Sequence, residues 1–481
     1  MPKRGQIVVA VVGVLLLVLL LVSPYVIGVI NENAVRNGIE RYSAQPTMQA
    51  SVIDYDRGWL SSLARMEFGI DPEYLSDVAP TAGDPIVTML GDFKLPVIAE
   101  FEHGPILRRN GFGLGTSAIH AYVDPESEIA QLAGLLGMPY VIDFRGRGSL
   151  GLGFDYEGEI PPATLAMQEV SFEFSGVEFG GSFDSGGRSV NGKLDSLAIQ
   201  SLFFSAILEA AGIESDLRRS GPGQLPLGDS TFSIGRLAIS DPFVGAESSF
   251  TASNMSLTSS VVENDDDDFV DIGLAYAVDS LTVGTDIAIN DARFGINFEH
   301  LDAEAVSAFY DAADTGKLVG DPEELIAELM PVLEQLLAGA PVMSIDPLGF
   351  SMPEGNASGR VTISLDPAAI PPGGVLDPAV MASAMQSAAI NFDLTASKTL
   401  VSHLAQLVLL QQTSVIDFGI QGQVVVPPEQ AAANARAQAD LVLLMLSTQG
   451  LITDNGDNWS TSISIENGRP MANGQPLLLG L

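Results

Sequence analysis

Four histidines, one glycine-rich string and one run of acids are the residues whose type and spacing could do chemistry. The histidines are His103, His120, His300 and His403. No two stand four apart, so the His-x-x-x-His helix face of a zinc protease is missing. His103 lies in Phe101-Glu102-His103-Gly104-Pro105. It could serve as a base or a ligand, and the plainer reading is a hydrogen-bonded structural histidine where a strand runs into a turn. Gly146-Arg147-Gly148-Ser149-Leu150-Gly151 matches G-x-G-x-x-G. A dinucleotide loop must lead into a helix whose N-terminus holds the pyrophosphate. Here Gly153-Phe154-Asp155-Tyr156 reads as strand instead. Glu263-Asn264-Asp265-Asp266-Asp267-Asp268 concentrates negative charge. A calcium loop needs a glycine at its sixth position and a glutamate at its twelfth, and neither is in place. A solvated turn is the expectation for the acidic run 265–268.

No P-loop and no G-x-S-x-G elbow occurs. The chain has no cysteine, which excludes disulfides, thiol nucleophiles and thiolate metal sites. Scattered carboxylates could still meet in space as an acid–base pair. On these grounds no catalytic, cofactor-binding or metal residue is assigned and no cofactor is expected. A non-enzymatic protein is predicted, with a carboxylate-dependent envelope hydrolase as the alternative.

Charge narrows the partners. Sixty acidic residues stand against 22 basic ones, a formal net charge of −38. Nucleic-acid binding needs a basic footprint and is not expected. Adhesion to anionic lipid through a basic patch is disfavoured for the same reason. The plain explanation is a solubility surface whose self-repulsion is screened by salt. Apolar content of 46 % argues for a folded body.

The elements that must position any site begin with residues 7–30, IVVAVVGVLLLVLLLVSPYVIGVI. At about 1.5 Å per residue the run spans a hydrocarbon core of roughly 30 Å. Lys3 and Arg4 precede it, which places residues 1–6 in the cytoplasm and the body outside. A cleavable signal peptide would have a shorter apolar region ending in small residues, whereas Ser23-Pro24-Tyr25-Val26 continues the run. A retained anchor is predicted, with Pro24 kinking it and Glu32–Tyr42 extending the helix.

Beyond the anchor, short alternating strands predominate. Arg360–Leu365 places Val361, Ile363 and Leu365 on one face and Arg360, Thr362 and Ser364 on the other, a sheet with one wet side. In Ser171–Phe179 the apolar phase jumps at Gly176, and in Thr231–Ile239 it jumps at Gly235, so a bulge is predicted at each. Asp271–Val283 and the series from Ile287 to Phe298 continue the alternation. Helices are predicted at Ala303–Ala313 behind an Asp302 cap, from Asp321 towards Gly339, and near Ser201–Ala211, Pro378–Ala388, Leu400–Gln411 and Glu429–Thr448. Asn467-Gly468 signals a tight turn near the end, and Asn473-Gly474 a competing one. Gly221–Gly228 and Pro367–Gly374 read as linkers.

Several strings together resemble the YdgA-like, or DUF945, family of bacterial envelope proteins. After the single apolar run comes Tyr55-Asp56-Arg57-Gly58-Trp59-Leu60-Ser61-Ser62, similar to that family's Tyr-x-Arg-Gly-apolar-x-Ser segment. His103-Gly104-Pro105 follows, then Pro341–Leu348 before a glycine-led strand from Gly359 to Asp366, then Ile465-Glu466-Asn467-Gly468 and Asn473-Gly474. The resemblance implies an inner-membrane protein with a periplasmic body and leaves a homodimer open. It supplies no reaction and no site residues. Locally, Arg57-Gly58 suits a turn between strands Ser51–Tyr55 and Trp59–Phe68, and Pro105 ends the strand before it.

The expected fold class is α+β: an N-terminal transmembrane helix, residues 7–30, then a β-rich, mainly antiparallel curved-sheet body, residues 31–481, with several packed helices. The expected role is binding or scaffolding in cell-envelope maintenance. A sheet with one apolar face, near the apolar helices at residues 325–337 and 400–410, could form a groove for acyl chains, unless the helices cap it. An envelope protein or a second copy is the other partner considered.

Overall fold

The computed structural model describes residues 3–43, 47–71, 74, 93–167, 169–220, 225–241, 243–245, 249–264, 268–285, 287–314, 322–365, 388–415, 428–466 and 469–477, the side chains of 3–21, 220, 311, 313–314, 322–328, 409–415, 428–432 and 466 excepted. The chain divides into two compact units. One holds Met1–Leu202, Ile207–Ser220 and Tyr310–Leu325, the other Phe203–Ala206, Gly221–Phe309 and Ile326–Leu481.

The first unit opens with α1 (Lys3–Ser43). An antiparallel meander follows: β1 (Met48–Arg57), β2 (Ser61–Ile70), β3 (Lys94–His103), then the small ladder of β4 (Ile106–Leu107) and β5 (Gly113–Leu114), then β6 (Ser117–Val123). After α2 (Glu128–Leu135) come β7 (Asp143–Gly148), β8 (Phe154–Ile160), β9 (Ala163–Ala166), β10 (Val170–Phe174), β11 (Val177–Phe183), β12 (Gly187–Ser201) and β13 (Ser205–Ser220). Pairing runs β1–β2–β3–β6–β7–β8–β11–β12, with β9 and β10 extending β8 and β11. Ser127 caps α2 by accepting from the Ala130 amide.

The second unit continues the same plan. Its strands are β14 (Leu225–Ser240), β15 (Phe250–Glu263), β16 (Phe269–Val283) and β17 (Ile287–Asp302), then, after α3 (Ala303–Asp314) and α4 (Pro322–Ala338), β18 (Val342–Met352), β19 (Gly355–Ser364) and β20 (Ala389–Ser397). The helices α5 (Lys398–Val415) and α6 (Pro428–Thr448) precede β21 (Thr453–Asn455), β22 (Asn458–Glu466), β23 (Arg469–Ala472) and β24 (Gln475–Pro476). Each strand from β14 to β20 pairs antiparallel with the next, and β22 closes against β20. Leu225, Leu227, Val261, Val270, Leu301 and Val306 form its core, with Ile272 and Leu336 packed against them.

The β-rich antiparallel architecture and the helices near 303, 322, 400 and 429 agree with the sequence reading. Three expectations are corrected. Ser201–Ala211 is not helical; it lies in the β12–β13 hairpin, where ladder pairing overrides the helical spacing of Leu202, Ala206 and Leu208. The bulge expected at Gly176 is absent. Phe174 faces Leu197 and Val177 faces Leu194 on β12, three residues on along each strand, so no residue is inserted. Gly176 instead takes φ +93°, a left-handed break without a slip. No residue is inserted at Gly235 either, since Ile234 faces Met255 and Arg236 faces Ser253; there the left-handed residue is Asn254 on the partner strand, at φ +48°. The apparent phase jumps reflect a sheet that carries apolar side chains on both faces there. True register shifts lie elsewhere, as between Val52 and Asp54 and between Ile345 and Leu348.

Asn473-Gly474 does not compete with the earlier turn; both residues have positive φ and join β23 to β24. The expected helix at 378–387, the linkers at 221–224 and 367–374, the acids 265–267 and the turn at 467–468 lie outside the described residues, while Leu225–Gly228 opens β14. Among the described residues no helix is long and apolar enough to cross a membrane. Most of the apolar run 7–30 lies among the side chains set aside above, within the backbone of α1.

The core of the second unit is checked by denaturant unfolding. Leu227→Ala should lose about 2–5 kcal/mol, since Leu227 is buried. Phe232→Ala on the same strand should lose about 1 kcal/mol or less, because Phe232 is exposed.

Candidate functional site

Sheet register builds the first site. Phe350 of β18 faces Ala357 of β19, which faces Ala396 of β20, which faces Trp459 of β22. The adjacent rung is Leu348, Gly359, Leu394 and Thr461. Directly opposed residues share a face, so this face is apolar and, at Ala357, Gly359 and Ala396, shallow. The chain leaves β20 at Ser397 and turns at once into α5. Leu400, Val401, Leu404, Ala405 and Val408 recur at helical spacing and lie over the sheet; Ala439, Val442 and Leu443 of α6 complete the wall. Small residues on both sides leave the layers imperfectly filled. The result is a groove of about 530 Å³, within the size range of ligand pockets, in which every lining residue is apolar.

Polar contacts fix one end of the groove. The Ser397 hydroxyl donates to Asn356 Oδ1 at 2.8 Å and accepts from the Asn356 amide at 3.0 Å; Thr399 donates its hydroxyl to the Glu354 carbonyl. Lys398 pairs with Asp454 at 2.6 Å and lies 4.7 Å from the Trp459 ring centroid. These bonds hold the first turn of α5 while its later turns lie over alanines.

The second assembly brings together two strings that stand 40 residues apart. Tyr55, Arg57, Ser62, Ala64, Ala99, Phe101 and His103 share one face of β1–β3, and α1 covers it. Pro24 and Gly28 of α1 are buried. A side chain at Gly28 would begin 2.6 Å from His103 Cε1, so only glycine permits this approach. His103 is 2 % exposed and Ser62 5 %. His103 Nδ1 lies 3.1 Å from the Trp59 carbonyl, which can only accept, so Nδ1 carries the proton. The Ser62 hydroxyl then donates to Nε2 at 2.9 Å. Burial, with the nearby Arg57 charge, pushes the His103 pKa below its usual value and keeps the ring neutral. Beside it the buried Tyr55 hydroxyl, turned towards Ser62, lacks a well-formed hydrogen bond, and burial raises its pKa. Arg57 reaches Glu32 of α1 at 2.9 Å and lies 5.4 Å from the Tyr25 ring centroid.

A serine bonded to a histidine, itself oriented by a carbonyl, has parts of a nucleophilic pair. The Gly28 backbone occupies the space a substrate would need, so this cluster clasps the helix to the sheet. The sequence carried its parts as two short strings, but no spacing rule announces that Ser62 and His103 meet. A glycine within the apolar run, at Gly28, was the available hint.

The remaining histidines are apart. His120 bonds Asp143 at 3.1 Å. His300 donates from Nδ1 to the Gly339 carbonyl at 2.6 Å and stacks on Phe269. His403 stands 3.8 Å from Glu354. Gly146–Gly151 passes from β7 through a turn into the antiparallel β8, not into a helix. Asn264, beside the acidic run, bonds Asp271 at 3.0 Å. Among the described residues no three metal-type ligands cluster. Asp143, Glu159 and Glu178 stand side by side on one rung of β7, β8 and β11 and line a concavity of about 490 Å³ without converging; Asp143 pairs with Arg145, and Tyr140 donates to Glu159, a bond that raises the Tyr140 pKa to about 12. Burial alone would raise Glu100, but hydrogen bonds from Tyr122 and Arg109 outweigh it and hold it low. Arg293 lowers Asp279 and Lys398 lowers Asp454.

A family model described as a bacterial protein of unknown function, DUF945, matches residues 1–479. No curated protein and no solved structure matches.

The clasp predicts a pH dependence. The folded state holds His103 neutral, whereas an unfolded His protonates near 6.5. Stability should therefore fall as pH drops below about 6.5, by up to about 1.4 kcal/mol per pH unit for this one proton. In His103→Asn, denaturation at pH 7.5 and 5.5, chosen as about one unit either side, should show a smaller difference than in the parent.

Proposed function

The chain belongs to the DUF945 family, and for it we propose a non-enzymatic, lipid-handling role at the cell envelope. In this reading the apolar run 7–30 of α1 anchors the chain in the inner membrane with the body on the periplasmic side, as Lys3 and Arg4 favour. The groove under α5 and α6 holds an acyl chain. The observation that carries the proposal is that groove: about 530 Å³ of space walled only by Leu, Val, Ala and Phe. Such a cavity excludes charged metabolites, because a buried charge without a partner is costly. It suits a flexible hydrocarbon, whose transfer from water is favourable at about 0.8 kcal/mol per methylene.

The hydrolase alternative draws no support from the Ser62–His103 pair, which α1 covers, or from Glu100, Asp279 and Asp454, which are all displaced downward. Self-association is a second reading with its own observation. Leu441, Leu444 and Met445 of α6 are exposed together on the side away from the buried Ala435 and Ala439. Mass measurement of the full chain in lipid discs, with Leu441→Lys as comparison, distinguishes one copy from two.

The groove is tested by photolabelling the membrane-embedded full chain with a fatty-acyl probe. Label should fall on β20 and α5. Ala405→Trp, which fills the space, should reduce it about tenfold, equivalent to about 1.4 kcal/mol. Equal labelling of the two proteins, or label elsewhere, removes the lipid reading.

A further inference from the structure

The register of the first unit gathers four connections at one end of its sheet. Arg57 faces Ser62, His103 faces Ser117, Gly148 faces Phe154 and Phe183 faces Arg188. Adjacent hairpins are aligned in turn, since Ser61 faces Glu102 and Ser117 faces Gly148. Segments 57–61, 104–116, 149–153 and 184–188 therefore form one rim.

The clasp fixes how α1 meets that rim. Gly28 lies against His103 at the rim, whereas Ser43 bonds Ala50 and Tyr42 packs on Phe68 at the far end of β1 and β2. The helix thus runs antiparallel to β1, and its N-terminal part, Lys3–Ser23, continues past the rim for about 30 Å. The rim around that exit is unusual in two ways. Trp59, Leu60, Phe112, Leu114, Leu150 and Leu152 are each more than half exposed there. The four segments also hold four arginines, Arg57, Arg108, Arg109 and Arg188, against one acid, Asp184, in a chain whose acids outnumber its bases 60 to 22. Arg57 pairs with Glu32 and Arg109 with Glu100; Arg108 and Arg188 make no ion pair among the described residues.

We propose that this rim sits in the headgroup layer of the phospholipid bilayer that α1 enters. The exposed aromatic and leucine side chains dip into the interface, and Arg108 and Arg188 meet lipid phosphates. Trp and long apolar side chains favour that depth, and guanidinium groups suit phosphate. The strongly negative net charge opposes this less here than elsewhere, because the guanidinium groups of Arg108 and Arg188 offset Asp184 and the Glu102 carboxylate, which is bonded to the Arg108 and Arg109 amides. The spanning part of α1 is then Ile7–Ser23, about 26 Å long, and Pro24–Ile30 lies beside the sheet. This inference rests on the anchor of the proposed function.

The test uses the full chain in vesicles of phosphatidylethanolamine and phosphatidylglycerol. The chain has two tryptophans, so Trp459→Phe leaves Trp59 as the sole reporter. Its emission should shift to the blue and be quenched several-fold more by brominated lipid than by aqueous iodide. The absence of cysteine allows single labels without background. Environment-sensitive labels at Phe112→Cys and Leu152→Cys should report the interface, and one at Glu126→Cys, at the opposite end of the unit, should report water. These labels carry the test should Trp459→Phe fail to fold. Protein that floats with the vesicles while Trp59 and both rim labels report water overturns the rim placement and leaves the anchor standing. Protein that does not float overturns the anchor and the rim together.

Discussion

The buried bond between Ser62 and His103 is the constraint on which the first unit depends. Two polar side chains removed from water must satisfy each other, and they do so through one tautomer, fixed by the Trp59 carbonyl. That arrangement sets the height at which Gly28 crosses the sheet and so the position of α1 along β1–β3. Arg57 reinforces it from the side through Glu32 and Tyr25. Removing one partner would leave a buried polar atom without its bond, which costs more than the bond itself contributes.

The second unit is governed by volume. Where the face of β18–β20 carries Ala357, Gly359 and Ala396, the helices above meet small side chains with small side chains, Ala405 and Ala439. Interiors are normally filled to the density of organic crystals. A pairing of short residues on both layers departs from that rule and produces an open apolar space. The polar ties of Ser397, Thr399 and Lys398 hold α5 in place across it.

Much of the fold was legible because its signals are local. Val361 and Ile363 announced a strand, Asn473-Gly474 a two-residue turn, and Pro322 with its following acids a helix start. Ser201–Ala211 misled because leucine and alanine spacing suits a helix, while the segment straddles the turn between two adjacent long strands that pair with each other. Gly176 and Gly235 misled because a phase jump was read as an inserted residue, and only the partner strand shows that none is inserted. The groove was anticipated as a class of feature from an apolar sheet face and apolar helices. Its location was not, since it depends on which alanines stand side by side across three strands. The clasp was invisible for the same reason: Ser62 and His103 become neighbours only through β2–β3 pairing and the register that aligns them.

The order of pairing has a consequence for how the chain is assembled. From β14 to β20 each strand pairs with the strand before it, across short connections except between β17 and β18, where α3 and α4 intervene, and between β19 and β20, where residues 365–388 do. The closure of β22 on β20 repeats the β17–β18 pattern at longer range, with α5 and α6 lying between the paired strands. That long-range step brings Trp459 beside Ala396 on the edge of β20. The walls of the apolar space come from β18–β20, α5 and α6 alone, so every one of them is made before β22 in the order of the chain, and the groove does not depend on the last strands for its lining.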